Sequence, residues 1–148
     1  MSDKKEYDKA IVGLGATGFS CLRFLHNQGE RVVVNDSRAA PANFAQVKKD
    51  FPDVPIHLGE FSESVLRQAN EIIVSQGISY TEPALQTLHA EGTKFLSDVE
   101  LLARFTQQPI IAITGSNGKS TVTTLVGAFA KACQCNAGVG GNLSLIHI

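Results

Sequence analysis

The stretch Lys9-Ala-Ile-Val-Gly-Leu-Gly-Ala-Thr-Gly18 joins an apolar segment to a glycine-rich loop. Residues 9–13 predict a strand, and residues 17–28 predict a helix that stops at Gly29. The glycines fit the pattern Gly-x-Gly-x-x-Gly, which serves a tight turn, close approach of a phosphate to the backbone, and close packing of helix on strand. The stretch therefore predicts a Rossmann-like, doubly wound α/β sheet that binds a nucleotide.

The segments that follow alternate between apolar runs and helical patterns. This alternation is typical of βαβ units and a parallel sheet. Further strands are predicted at 31–35, 54–58, 71–75 and 94–96, and helices at 43–51, 62–69, 81–92 and 97–105. Ser62, Thr81 and Ser97 are the expected helix caps, the last in a capping box with Glu100. Five strands are enough for one doubly wound sheet.

A second glycine-rich loop, Thr114-Gly-Ser-Asn-Gly-Lys-Ser-Thr121, lies between a predicted strand at 110–114 and a predicted helix at 119–132. Such a loop points backbone N–H groups at phosphates; Lys119 adds a positive charge, and the Ser120 hydroxyl can ligate Mg²⁺. The strict Gly-x-x-x-x-Gly-Lys-Ser/Thr pattern is not met, because Ile113 occupies the first glycine position. This variant predicts the start of an ATP-binding domain, with a further strand at 137–139.

Composition and charge narrow the class of protein. The 148 residues carry a formal charge of −1, so the chain has no electrostatic footprint for nucleic acid or for an anionic membrane. No apolar run reaches the roughly 20 residues that span a bilayer. Cys21, Cys133 and Cys135 have no disulfide or metal-site spacing, which favours a reducing, cytoplasmic compartment. The four histidines stand alone.

The first loop alone leaves its ligand open. Asp36 ends the second predicted strand, where a carboxylate can accept hydrogen bonds from a ribose or a base, and Arg38 adds a cation two residues later. The candidates are NAD, a UDP-type nucleotide on the same scaffold, or a turn with no ligand. An NAD-dependent oxidoreductase and a non-enzymatic nucleotide-binding module are therefore the alternative functions. The loop at Lys119 counts against the oxidoreductase.

Motifs across residues 9–143 together resemble a known family. They are Gly13–Gly18, Asp36-Ser-Arg38, Ser75-Gln-Gly-Ile78, Ser97-Asp-Val-Glu-Leu101, Ile111–Val126 and Val139-Gly-Gly-Asn-Leu143. In this combination the chain resembles the Mur ligases, which build the peptide of bacterial peptidoglycan. The run at 111–126 is the most specific of these segments. Gln76 departs from the proline usual in the family.

The resemblance implies which nucleotide each loop holds. The N-terminal domain of the family is Rossmann-like and holds the UDP of the substrate. The residues implied to contact the UDP substrate are Ala16, Thr17, Asp36, Ser37, Arg38, Gly77 and Asn142. The residues implied to bind ATP are Gly115, Ser116, Asn117, Gly118, Lys119, Ser120 and Thr121, with Lys119 catalytic and Ser120 on Mg²⁺.

The resemblance also implies a reaction. ATP converts the carboxylate of UDP-N-acetylmuramoyl-L-alanine to an acyl phosphate, which the amine of D-glutamate attacks. The implied enzyme is cytoplasmic and monomeric, with neither nucleic acid nor membrane as a partner. The domains are expected at 1–97 for the UDP substrate and 98–143 for the beginning of the ATP-binding domain, with 144–148 a non-native tail. We expect the 148-residue chain alone to be inactive and to self-associate.

Overall fold

A computed structural model describes residues 5–140, which form two compact units that divide between Arg104 and Phe105. The elements of the first unit are β1 (Tyr7–Val12), α1 (Ala16–Asn27), β2 (Val32–Asp36), α2 (Phe44–Asp50), β3 (Ile56–Leu58), α3 (Glu63–Leu66), β4 (Ala69–Val74), α4 (Pro83–Ala90), β5 (Lys94–Leu96) and α5 (Asp98–Phe105). The second unit, which begins at the last residue of α5, contains α6 (Lys119–Ala132). The division lies after the predicted boundary at 97, and the assignment of domains by function stays a prediction.

The first unit is a five-stranded sheet in which every strand pair is parallel, in the order β3-β2-β1-β4-β5. Central β1 pairs with β2 on one side and with β4 on the other, and Ile11 lies opposite both Val34 and Ile73. The predicted α/β fold class is therefore confirmed.

Apolar side chains cover both faces of this sheet. Ile11 and Val34 belong to one core cluster, which includes Leu22 and Leu25 of α1. Their neighbours along the strands point the other way: Ala10 and Val33 join the second cluster, with residues of α3 and α4. Burying each valine, leucine or isoleucine side chain among them contributes about 1.5–3 kcal/mol. The buried run at 32–34 thus follows from helices packing on both sides.

The strand order places a crevice where the direction of winding changes. The chain moves from β1 outward to β3, then crosses back to β4 on the other side of β1. In open parallel sheets, ligands bind beyond the carboxyl ends of the strands at this switch point. Gly13 follows β1 here and Ser75 follows β4. Those two ends position the candidate site.

One predicted helix cap is wrong, and the other two lie at the predicted positions. Ser62 is the residue before α3, although its side chain makes no capping hydrogen bond, whereas the residue before α4 is Glu82 and not Thr81. The Thr81 N–H instead donates to Ser79 Oγ in a local turn. By contrast, the Glu100 N–H donates to Ser97 Oγ at 3.1 Å, as the capping-box pattern predicts.

In the second unit the predicted helix is confirmed as α6, but the predicted strands at 110–114 and 137–139 are wrong. A strand exists through hydrogen bonds to a neighbour. No segment within residues 105–140 pairs with either stretch, and Ile111 is 72% exposed. Among the residues described, no helix combines the length and the apolar character needed to cross a membrane.

Gly18→Ala is expected to lower the free energy of unfolding by about 3 kcal/mol or more, because the added methyl overpacks a buried junction. An ideal Cβ on Gly18 would lie 1.9 Å from the Gly13 carbonyl oxygen and 2.8 Å from Ser75 Oγ. Urea unfolding followed by circular dichroism measures the loss. Gly15→Ala is the matched control, since its Cβ meets nothing within 4 Å. Equal stability of the two variants would contradict the close approach.

Candidate nucleotide-binding site

The first glycine loop runs from β1 into α1 at the switch point. Gly13 has φ +91°, a left-handed conformation that favours glycine, and Gly15 is the residue before the helix. No side chain caps α1, and the space around the Gly15 Cα is open. Free N–H groups at a helix N-terminus beside an open glycine backbone favour an anion such as a phosphate.

Asp36, at the end of β2, anchors this loop. The residue is buried, and its carboxylate accepts hydrogen bonds from the Leu14 N–H at 2.6 Å and from the Arg38 N–H at 2.9 Å. The Arg38 guanidinium donates two more, from Nε at 2.9 Å and from Nη2 at 2.6 Å. Two carboxylate oxygens offer about four acceptor directions. The chain's own donors therefore take up the acceptor capacity of Asp36.

These hydrogen bonds also fix the charge of the Asp36 carboxyl group. Burial raises its pKa, but the hydrogen bonds from the Arg38 side chain, the Leu14 N–H and the Arg38 N–H, with the positive charge of Arg38, outweigh burial. Together they lower the pKa of Asp36 from 3.8 to about 2. Asp36 is consequently ionised at neutral pH, and its charge is balanced inside the site.

The Arg38 side chain stays 54% exposed although its guanidinium is bound to Asp36. The hydrogen bond to that carboxylate raises the pKa of Arg38 above its ordinary value. A planar guanidinium held along one edge keeps its faces available for stacking on a base, and its remaining N–H groups available for oxygen acceptors. Neighbouring Ser37 is exposed as well.

Three side chains that sequence inspection did not select also hold the site. Ser75 Oγ donates to the Gly13 carbonyl at 2.8 Å, and Asn43 Nδ2 donates to the Leu14 carbonyl at 3.4 Å. Buried Asn35 donates to the carbonyls of His57 and Glu60 and accepts from the Ser62 N–H, which fixes the segment after β3. Asn35 and Ser75 could have been predicted as site residues, because each is a polar residue at the end of a predicted apolar strand.

The turn after β4 also lies at the carboxyl end of the sheet, beside the first glycine loop. Gly77 has φ +91°, and the Ile78 side chain lies against Gly13, 3.1 Å from where a Cβ would stand. Gln76 Nε2 donates to Asp98 Oδ2 at 3.2 Å. The structure thus brings Thr17, Asp36–Arg38 and Gly77 to the carboxyl ends of β1, β2 and β4.

The second glycine loop leads into α6. Gly118, with φ +74°, precedes the helix, which no side chain caps, and Gly115 has φ +153°. Lys119 Nζ donates to the Gly115 carbonyl and, at 3.3 Å, to the Ser116 carbonyl. The uncapped N-terminus of a 14-residue helix, an adjacent ammonium and exposed hydroxyls fit a phosphate group.

The remaining site predictions concern metal ions and Asn142. Within residues 5–140 no group of three or more His, Cys, Asp or Glu side chains could hold a metal ion. The Ser120 hydroxyl could supply one oxygen ligand to Mg²⁺, whose other ligands are commonly waters and phosphate oxygens. Asn142 lies outside the described residues.

Asp36→Asn is expected to lower stability by about 2 kcal/mol at pH 7, the free energy that corresponds to the shift from 3.8 to about 2. A carboxyl group whose folded pKa is depressed stabilises the protein above its unfolded pKa. That contribution is lost as pH falls toward about 2. The difference between parent and variant in urea unfolding should therefore shrink between about pH 4 and pH 2.

Asp8→Asn is the matched control for this pH series. Asp8 binds the N–H, Nε and Nη2 of Arg31 in the same manner, and these hydrogen bonds lower its pKa, but both side chains are partly exposed. Solvent screening makes the expected loss smaller. A constant difference between parent and Asp36→Asn across the whole pH range would contradict the assignment.

Comparison with known proteins identifies a family and several relatives. The family described as Mur ligase MurD-like, N-terminal domain, matches residues 7–97. UDP-N-acetylmuramoylalanine–D-glutamate ligase of Marinobacter nauticus is 50% identical over 133 residues, covering 90% of this chain and 30% of the relative. The enzyme of the same name from Pseudomonas syringae pv. syringae is 48% identical, covering 91% and 30%. The chain thus spans about 30% of the length of these relatives.

Two solved structures share the fold. A pseudomurein peptide ligase type C from Methanothermus fervidus has a TM-score of 0.56 at 22% identity, covering 84% of this chain and 26% of its own. UDP-N-acetylmuramate-alanine ligase MurC from Thermotoga maritima has a TM-score of 0.56 at 18% identity, covering 87% and 30%. The family model matches residues 7–97, which is more than half of this chain. The chain therefore belongs to the Mur ligase MurD-like N-terminal domain family.

Proposed function

We propose that this chain is the UDP-substrate domain and the beginning of the ATP-binding domain of a ligase that adds D-glutamate to UDP-N-acetylmuramoyl-L-alanine in peptidoglycan biosynthesis. The observation that carries the proposal is the extent of identity: about half of 133 aligned residues match ligases of that name. An alignment of that length in a 148-residue chain must include both Asp36–Arg38 and the loop at 115–121. A nucleotide-binding module unrelated to ligases is not favoured.

For the UDP part, each residue has a role that the contacts support. The uncapped N-terminus of α1, with Ala16 and Thr17, and the open space at Gly15 would receive the diphosphate. Arg38, with Ser37 and the turn at Gly77, would receive the uracil. Asp36 acts through Arg38 and Leu14, because its acceptor positions are already used. We therefore place it behind the nucleotide and not against it.

For the ATP part, the N–H groups of residues 115–121 would surround the phosphates, and Lys119 would donate to them after leaving the loop carbonyls. Ser120 would hold Mg²⁺, which when bound neutralises charge on the transferring phosphoryl group. Residues contributed by the part of the relatives that this chain does not cover would complete the site. We place the enzyme in the cytoplasm, where its nucleotide substrates are made, and self-association of the chain stays a prediction.

Arg38→Ala is expected to weaken UDP binding about tenfold, the effect of losing a hydrogen bond to a charged group. Isothermal titration calorimetry of this chain with UDP, and separately with NAD, makes the measurement. Arg31→Ala is the matched control, since Arg31 is 50% exposed and binds Asp8 through the same three donors at the start of β2. UDP should bind parent and control alike; NAD binding without UDP binding would support the oxidoreductase alternative.

Lys119→Met in the complete enzyme is expected to reduce ADP formation at least about 100-fold, because a charge that stabilises the transferring phosphoryl group is removed. Steady-state ADP release with all substrates present measures it. Lys131→Met, in the last turn of α6, removes an exposed lysine from the other end of the same helix and should leave the rate unchanged. Equal rates for the two variants would sink the assignment of Lys119.

A further inference from the structure

Ser75 is buried at the point where β4 meets the first glycine loop. Its side chain lies at the carboxyl end of the strand, and the residue is 4% exposed. The Ser75 N–H donates to the Val12 carbonyl at 3.0 Å, which continues the pairing of β1 with β4. Its hydroxyl then donates to the next carbonyl, that of Gly13, at 2.8 Å. The side chain thus extends the sheet's hydrogen bonding by one residue into the loop.

Gly13 is held from the other side as well. Its N–H donates to the Asn35 carbonyl at 2.9 Å, at the end of β2. The peptide groups on both sides of Gly13 are therefore tied, one to β2 and one to β4. Since Gly13 adopts φ +91°, the direction in which the loop leaves β1 depends on these two hydrogen bonds.

The Ser75 hydroxyl also sets the distance between the loop and α1. A Cβ on Gly18 would lie 2.8 Å from Ser75 Oγ and 1.9 Å from the Gly13 carbonyl oxygen. Gly18, in the first turn of α1, therefore packs directly on the hydrogen bond between Ser75 and Gly13. A shift of this carbonyl would move the first turn of the helix, which no side chain caps.

We propose that Ser75 is a positioning residue for the diphosphate of the nucleotide: it holds the Gly13 carbonyl, and through it the N–H groups of residues 15–18, in the arrangement that receives phosphate. This inference rests on the proposed binding of UDP. Ser75 itself does not contact the nucleotide, because its hydroxyl is buried and its proton is used by Gly13. The Arg38 guanidinium, which is proposed to meet the base, is held by Asp36 and not by Ser75.

This separation gives the proposal a distinctive signature. Removing the Ser75 hydroxyl should weaken binding of UDP, which has the diphosphate, more than binding of uridine, which lacks it. A general loss of folding would weaken both ligands together. We expect Ser75→Ala to weaken UDP binding about fivefold to tenfold, and uridine binding by less than about twofold.

Two control variants separate positioning from stability. Val65→Ala deletes buried apolar volume on α3, which leads into the amino end of β4, and should lower stability without changing the affinity for either ligand. Gln76→Ala removes a side-chain hydrogen bond from the same turn as Ser75, but one directed to Asp98 and not to the loop. It should also leave the preference for UDP over uridine unchanged.

The experiment titrates UDP and uridine into the parent chain and the variants by NMR, and measures amide hydrogen exchange of residues 14–18 without ligand. The expected result is a selective loss of UDP affinity and faster loop exchange in Ser75→Ala alone. Unchanged UDP affinity in Ser75→Ala, or equal loss of UDP and uridine, would overturn the proposal. Should Ser75→Ala not fold, Ser75→Cys replaces it, since the thiol keeps the size but donates weakly.

Failure of the proposed function has a different outcome in the same experiment. If the parent chain binds no UDP, the proposed function fails, and amide exchange alone decides the role of Ser75 in holding the loop. Faster exchange in Ser75→Ala than in Val65→Ala then supports that role. Equal exchange in the two variants overturns it.

Discussion

The close packing of Gly18 on the Gly13 carbonyl is the constraint on which the candidate site at the carboxyl end of the sheet depends. The 1.9 Å that would separate a Cβ from the carbonyl oxygen leaves no room for any other residue. Because of this contact, α1 begins close to the end of β1, at the switch point between β1 and β4, and no side chain caps it. The sheet order supplies the crevice, and the two glycines bring the helix to it.

An aspartate–arginine ion pair occurs at both the amino and the carboxyl ends of the strands, and burial gives the two pairs different roles. Asp8 and Arg31 at the amino end form the same set of hydrogen bonds as Asp36 and Arg38 at the carboxyl end. Arg31 and Arg38 are about equally exposed, but the carboxylate of Asp36 is 2% exposed and that of Asp8 is 30% exposed. The buried carboxylate also accepts the Leu14 N–H, so only the carboxyl-end pair is coupled to a glycine loop.

The sequence was sufficient to predict features set by neighbouring residues. Apolar runs and glycine spacing predicted every strand of the first unit, α1 and the position of Asp36, because these follow from local patterns. The partner of Ser75 was out of reach, since Gly13 lies 62 positions earlier and only strand order brings the two together. The strand predicted at 110–114 failed for the same reason: apolar residues favour a strand, but a paired neighbour forms it.

The two glycine loops that we propose to bind phosphate are held by different means, and this predicts different energetics of binding. The first is fixed by the side chains of Asp36, Asn43 and Ser75, of which Asp36 and Ser75 are buried, and no side chain caps the helix that follows it. A preorganised loop loses little conformational freedom when a ligand binds. In the second loop, Lys119 donates to the carbonyls of Gly115 and Ser116. A phosphate that takes over the ammonium must first break those bonds, so part of its binding energy is offset by their loss.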